Sequence, residues 1–169
     1  MKTIWLTGLP ASGKTTLGKL LYNYLSSING NKVEWFDGDI VRRTFYPELG
    51  FTKEERFENV KRISHLAKIL NKHGIFVIVS AIAPYKEMRK MAKEIIGNYI
   101  EIYLKCPIEV CKKRDPKGHY KKAEKGEIKN FTGISDVYEE PKRPDVVVET
   151  GFFDPLECIN KIVEKILSV

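Results

Sequence analysis

The chain has 169 residues, enough for one domain with a sizeable core and short of two domains of ordinary size. Hydrophobic residues make up 43% and charged residues 30%, a balance that excludes intrinsic disorder, collagen and coiled coil. The net charge of +7 points to anionic partners, either nucleic acids or small phosphates.

In chain order, a strand expected over Lys2–Thr7 leads to a helix over Lys14–Ser27, and a strand over Lys32–Phe36 to a helix over Lys53–Lys72. Thr52 reads as the N-cap of that helix, with Glu55 three positions on as its capping-box partner. Strand Ile75–Ser80 precedes helix Tyr85–Ile96, strand Tyr99–Leu104 precedes helix Pro107–Arg114, and strand Asp145–Glu149 precedes helix Pro155–Leu167. Strands alternating with helices are the βαβ pattern of a parallel sheet covered on both faces, so the expected fold is α/β, three layers with five parallel strands. Residues 115–144, rich in Lys, Gly and Pro, show no sustained period, and an ordered segment of that length needs a task or a ligand to offset its entropy. The densest basic stretch, Lys112–Lys129, lies largely within it, and we read about 115–140 as a mobile lid over phosphates.

No apolar run approaches the roughly 20 residues of a membrane helix, and the Lys2–Thr7 run is too short for a signal-peptide core, so the expectation is a cytoplasmic protein without a membrane partner. Cys106, Cys111 and Cys158 are odd in number and lack zinc-like spacing with His65, His73 or His119; buried free thiols are expected.

Gly8-Leu9-Pro10-Ala11-Ser12-Gly13-Lys14-Thr15 is a complete Walker A motif, directly after one expected strand and opening an expected helix, with Thr16 continuing it. Its backbone N–H groups can wrap phosphate oxygens, Lys14 supplies charge near the β- and γ-phosphates, and the Thr15 hydroxyl can reach Mg²⁺. Asn71-Lys72-His73-Gly74 has Gly where a guanine-reading Asp belongs, which favours ATP over GTP. The strand over Ile75–Ser80 ends in Ser80 where a Walker B carboxylate would stand, so a second anchor for Mg²⁺ must come from elsewhere.

The nearest carboxylates are those of Asp37-Gly38-Asp39, at the C-terminal end of a strand, where ligands sit in open α/β sheets. A bland reading makes this a turn in which Asp39 starts a short helix and Arg42 and Arg43 are solvated. The functional reading gives Asp39 an acceptor hydroxyl to orient, with a water-mediated hold on Mg²⁺. An ordinary aspartate, of pKa about 3.9, suffices because loose phosphoryl transfer asks mainly for positioning. Arg56, Asn59 and Arg62 share one face of the helix from Lys53, a spacing that by itself more often marks a solvated, ion-paired face.

Together with Leu49-Gly50-Phe51-Thr52, Ile82-Ala83-Pro84-Tyr85, Arg114-Asp115-Pro116-Lys117-Gly118, Phe131-Thr132-Gly133-Ile134 and Tyr138-Glu139-Glu140-Pro141, these segments resemble the adenylylsulfate kinase (APS kinase) family over nearly the whole chain. The resemblance implies one P-loop kinase domain over 1–169 that transfers the γ-phosphate of ATP to the 3′-hydroxyl of adenosine 5′-phosphosulfate (APS), with Mg²⁺, as a homodimer. It implies that Lys14 and Asp39 are catalytic and that Arg114 lies near the ATP base. It also implies an acceptor site of Asp37, Asp39, Arg42, Phe51, Arg56, Asn59, Ile82, Ala83, Lys117, Lys121 and Phe131, the two phenylalanines sandwiching the adenine. Of these, Phe131 in a polar lid reads as the ring free to stack, and Phe51 beside Leu49 competes as core packing.

Two departures stand out. Many family members have Ser where this chain has Ala83, so no phosphoenzyme can form there and direct in-line transfer is expected. The loop also reads Leu9-Pro10-Ala11-Ser12 in place of Leu-Ser-Gly-Ala, which keeps the backbone cradle and alters its stiffness. The alternatives are a P-loop kinase of another small alcohol or nucleotide, and a basic nucleic-acid-binding protein. No nucleic-acid-reading motif supports the latter, and no nucleic-acid partner is expected.

Overall fold

In the computed structural model, which describes residues 1–167, five strands form one parallel sheet in the order β2-β3-β1-β4-β5. They are β1 (Thr3–Thr7), β2 (Lys32–Asp37), β3 (Ile75–Ser80), β4 (Tyr99–Lys105) and β5 (Val146–Glu149). The period of two in β1 divides the core. Ile4 and Leu6 face one side with Leu17, Leu21 and Leu25 of α1 (Lys14–Ser27) and Ile159 and Ile162 of α7 (Pro155–Leu167). Trp5, fully buried, faces the other with Ile63 and Ala67 of α3 (Lys53–Lys72) and Met88 and Ala92 of α4 (Lys86–Ile96). This is the expected three-layer arrangement, with element boundaries within a residue or so of those read from the sequence.

β1 has β3 on one side and β4 on the other, so chain connections diverge at its C-terminal end and leave a crevice there. The Walker A loop fills that crevice. Two further helices flank it, α2 (Gly38–Phe45) and α6 (His119–Glu124), with α5 (Ile108–Arg114) between β4 and α6.

Asp37-Gly38-Asp39 is the turn into a short helix that its composition suggests: α2 is capped by Asp37, whose Oδ1 accepts from the Asp39 and Ile40 N–H groups, and Asp39 lies in its first turn. Residues 115–144 are not featureless: Asp115 accepts from the Tyr120 and Lys121 N–H groups and starts α6, and Tyr120, Ala123 and Phe131 form a small core with Cys106 and Cys111. All three cysteines are buried and free. The capping box of Thr52 and Glu55 is present on α3. No helix among the described residues is long and apolar enough to cross a membrane.

Candidate active site

The loop Gly8–Gly13 joins β1 to α1 through a path few residues can follow. A Cβ on Gly8 would lie 2.7 Å from both the Leu104 carbonyl oxygen and Ser12 Oγ. Ala11 sits in the left-handed region, with φ of 60°, at the position where the family pattern has Gly; a Cβ there costs about 1–2 kcal/mol. Helix α1 has no side-chain cap and no acidic residue in its first turn, so its leading N–H groups and dipole are left to an anion. Thr150 Oγ1 donates to the Ser12 carbonyl at 2.8 Å and Tyr120 OH to the Pro10 carbonyl at 2.9 Å, bracing the loop from both sides.

Lys14 Nζ folds back onto this loop and donates to the carbonyls of Gly8 at 2.9 Å and Leu9 at 2.6 Å. Desolvation lowers its pKa to about 8, against the opposing pull of Asp39. Thr15 and Thr16 are exposed at the start of α1. Thr15 Oγ1 donates to Asp37 Oδ2 at 2.7 Å.

Asp37 and Ser80 are register partners on β2 and β3, so the carboxylate missing from the Walker B position stands one strand over. Ser80 takes a structural part: it accepts from Trp35 Nε1 at 3.0 Å and donates to the Lys14 carbonyl at 3.0 Å. Both carboxylate oxygens of Asp37 are engaged, one by the α2 cap and one by Thr15, which sets this residue beside the P-loop, and its charge also acts on Lys117. Hydroxyl and carboxylate oxygens are the hard donors Mg²⁺ prefers. Among the described residues no cluster of three or more His, Cys, Asp or Glu could cage a metal.

Asp39 projects from the first turn of α2 and accepts from Lys117 Nζ at 2.7 Å. Desolvation in the cleft pushes its pKa up, but the Lys117 hydrogen bond and charge, with Lys14 behind them, outweigh this and hold it below the usual carboxylate value. It is therefore ionised at neutral pH and flanked by two cations.

Beyond α2, Arg42 and Arg56 approach the exposed Phe51 ring, with their guanidinium carbons 4.8 and 5.7 Å from its centroid. Arg42 donates to the Gly50 carbonyl, and Arg56 to the carbonyls of Phe51 and Asn130 and to Thr132 Oγ1. Desolvation and, for Arg42, the neighbouring Arg56 charge lower both pKa values, and neither guanidinium lies within salt-bridge distance of a carboxylate among the described residues. Asn59, one turn along α3 from Arg56, is buried with its Oδ1 unpartnered. Two guanidinium groups without a salt-bridge partner, beside an unsatisfied amide oxygen, are able to receive an anion and a polar group next to it.

The other expected residues fall into two groups. Ile82 and Ala83 follow β3 on the same crevice, their carbonyls accepting from Thr7 Oγ1 and Arg89 respectively. Lys121 is exposed on α6, and Arg114, at the end of α5, donates to the Thr150 carbonyl. The aromatic pair differs from the sequence reading: Phe131 packs edge-on against Tyr120 at 5.0 Å inside the small core, whereas Phe51 is the exposed ring. Arg62 leaves the site altogether, paired with Glu48 and Glu58 and stacked on Tyr46. Arg89 is buried beside Ala83, and the sequence reading missed it.

The model of the adenylylsulphate kinase family matches residues 1–149. The chain is 45% identical over 166 residues to the adenylyl-sulfate kinase of Synechococcus sp. (strain JA-3-3Ab), covering 98% of this chain and 94% of that one. It is 47% identical over 162 residues to that of Halothermothrix orenii, covering 96% and 87%. The structure of the Mycobacterium tuberculosis APS kinase in complex with AMPPNP and APS superimposes with a TM-score of 0.94 at 35% identity, over 98% of this chain and 97% of that one. The chain belongs to the adenylylsulfate kinase family.

Proposed function

We propose that this protein transfers the γ-phosphoryl group of ATP to the 3′-hydroxyl of APS, giving 3′-phosphoadenylyl sulfate and ADP. The observation that carries the reading is the central position of the ionised Asp39, whose charge acts on Lys14 at the P-loop and on Arg42 and Arg56 beside Phe51. It joins a nucleotide loop to a second anion site through a carboxylate. The relative solved with both AMPPNP and APS supports the pairing of ligands. The test is ADP release with a panel of acceptors: APS should be turned over far faster than AMP or simple alcohols, and ADP release with another acceptor alone would refute the assignment.

In this mechanism the α1 N-terminus and loop N–H groups take the β- and γ-phosphates, and Lys14 swings from the Gly8 and Leu9 carbonyls to the same oxygens. Arg42 and Arg56 grip the phosphosulfate, Asn59 reads the ribose, and Phe51 stacks on the adenine while Phe131 shapes the lid behind it. Ile82, Ala83 and Lys121 complete the acceptor wall. The 3′-oxygen attacks the γ-phosphorus as the bond to the ADP oxygen breaks, and the hydroxyl proton passes late to Asp39. Lys117, within reach of Asp39, neutralises charge on the transferring group. Thr15 and Asp37, with Asp39 through a water, would hold Mg²⁺, which when bound offsets charge on the β- and γ-oxygens. Arg114 lies near the ATP base. Ala83 offers no hydroxyl to phosphorylate, so transfer is direct.

Residues 1–169 act as one kinase domain in which 115–140 closes over both ligands and excludes water. We assign it to the cytoplasm, where ATP is available, and to a homodimer. Sizing with light scattering checks the dimer, and it has a competing outcome because an APS kinase from Thiobacillus denitrificans is hexameric.

Two expected results follow from this arrangement. Phe51→Ala should raise the KM for APS by about tenfold, the equivalent of one base stack, with no change in Tm because the ring is exposed. Phe131→Ala, which empties the lid core, should also lower Tm, and equal thermal effects of the two variants would contradict the division of roles. For Lys14, a free-state pKa of about 8 means part of the population is neutral above that pH, and phosphate restores the proton. Binding of an ATP analogue should therefore take up a proton near pH 8.5 and weaken as pH rises further. Calorimetry in buffers of different ionisation enthalpy measures this, and proton release would reverse the sign.

A further inference from the structure

Arg89 lies on the inner face of α4, 5% exposed, in a helix whose other cationic residues, Lys86, Lys90 and Lys93, are exposed. A guanidinium is buried only where several acceptors meet it. Its Nε is 3.2 Å from Glu101 Oε1 on β4, but that oxygen makes no hydrogen bond of good geometry. The well-formed bonds go to main-chain carbonyls, Ala83 at 2.7 Å and Glu139 at 2.5 Å. One side chain thus joins the turn after β3 to the far end of the segment that begins at Asp115.

The same two segments are laced at other points. The Glu139 N–H donates to the Pro84 carbonyl at 2.8 Å, its carboxylate accepts from the Lys86 N–H at 2.7 Å, and Tyr85 OH donates to Asp136. Three consecutive carbonyls, of Ile82, Ala83 and Pro84, are thereby held from β1, α4 and Glu139 in turn. Between them Ala83 is fixed with φ of 42°, in the left-handed region that a residue with a Cβ adopts only when its surroundings impose it.

We propose that Arg89 is a positioning residue for the acceptor: it holds the Ile82–Ala83 turn and the Glu139 end of the lid as one unit, so acceptor affinity depends on it and donor affinity does not. The inference rests on the reading of Ile82 and Ala83 as acceptor wall. The P-loop is braced by Thr150 and Ser80, which lie outside both segments, and by Tyr120 at the opposite end of the lid from Glu139. Arg89→Met leaves both carbonyls without their donor, and Arg89→Lys retains the charge and can satisfy one of them.

Steady-state kinetics of wild type, Arg89→Met and Arg89→Lys, with APS and ATP varied in turn, test the proposal alongside thermal melting. In Arg89→Met the KM for APS should rise about tenfold or more with the KM for ATP within about twofold, and Arg89→Lys should fall between it and wild type. Should Arg89→Met fail to fold, the ratio of the two KM shifts in Arg89→Lys decides. Equal shifts in both, or a lowered Tm with neither KM changed, would reduce Arg89 to a structural role and overturn the proposal. A wild type that turns over another acceptor and not APS overturns the functional reading instead, and is seen before any variant is made.

Discussion

Replacing Asp39 by Asn should lower kcat by about 10²–10⁴-fold, the usual range for a lost general acid or base, while leaving the KM for ATP within about threefold. The amide keeps the shape but can neither take the proton nor balance Lys117 and Lys14. The fold should not notice: the Asp39–Lys117 pair is solvent-facing, its side chains 65% and 56% exposed, and such pairs contribute little to stability. A melting curve superimposable on wild type would confine the loss to chemistry. An unchanged kcat would remove Asp39 from the mechanism.

Lys14→Met should lower kcat by about 10²–10³-fold, the scale for removing one preorganised charge or donor from a transition state, and raise the KM for ATP as well. Here the thermal result is a balance of two effects. Desolvation disfavours the Lys14 ammonium in the free protein, bringing its pKa from 10.5 to about 8. Wild-type stability therefore rises with pH between about 8 and 10.5, where the unfolded chain binds the extra proton. Below that window the desolvated charge works against folding, whereas Met leaves the Gly8 and Leu9 carbonyls without their donor, so the two effects oppose and Tm at pH 7 should change little. Nucleotide should then stabilise wild type much more than the variant. Equal stabilisation of the two by an ATP analogue would mean that Lys14 does not meet the phosphates.

Much of this architecture is legible in the sequence because its signals are local. The Walker A spacing sits between a β-branched strand and a leucine-bearing helix, and Thr52 with Glu55 marks the start of α3 in a reciprocal bond pattern that needs no tertiary partner. What escaped reading depends on contacts from afar. α6 is only six residues long, and it exists because Asp115 meets its leading N–H groups and Tyr120 reaches Pro10 and Phe131. Arg62, by contrast, is the ion-paired residue its spacing suggests, held by Glu58 on its own helix and by Glu48 from outside it. Phe131 is the buried ring and Phe51 the exposed one because the polar segment carries a small core of its own, which local composition does not reveal. Arg89 had a visible signal, standing in the stripe Tyr85, Arg89, Ala92 and Ile96 on the apolar face of α4, and its charge disguised it.

The most direct test of the central claim is a single turnover with γ-labelled ATP and APS, Mg²⁺ present, quenched over a time course. Direct transfer, the route left when Ala83 has no hydroxyl to phosphorylate, should pass label from ATP to the 3′-oxygen of APS with no labelled protein at any time. Label appearing first on the protein, or passing to water while APS stays unlabelled, would contradict it.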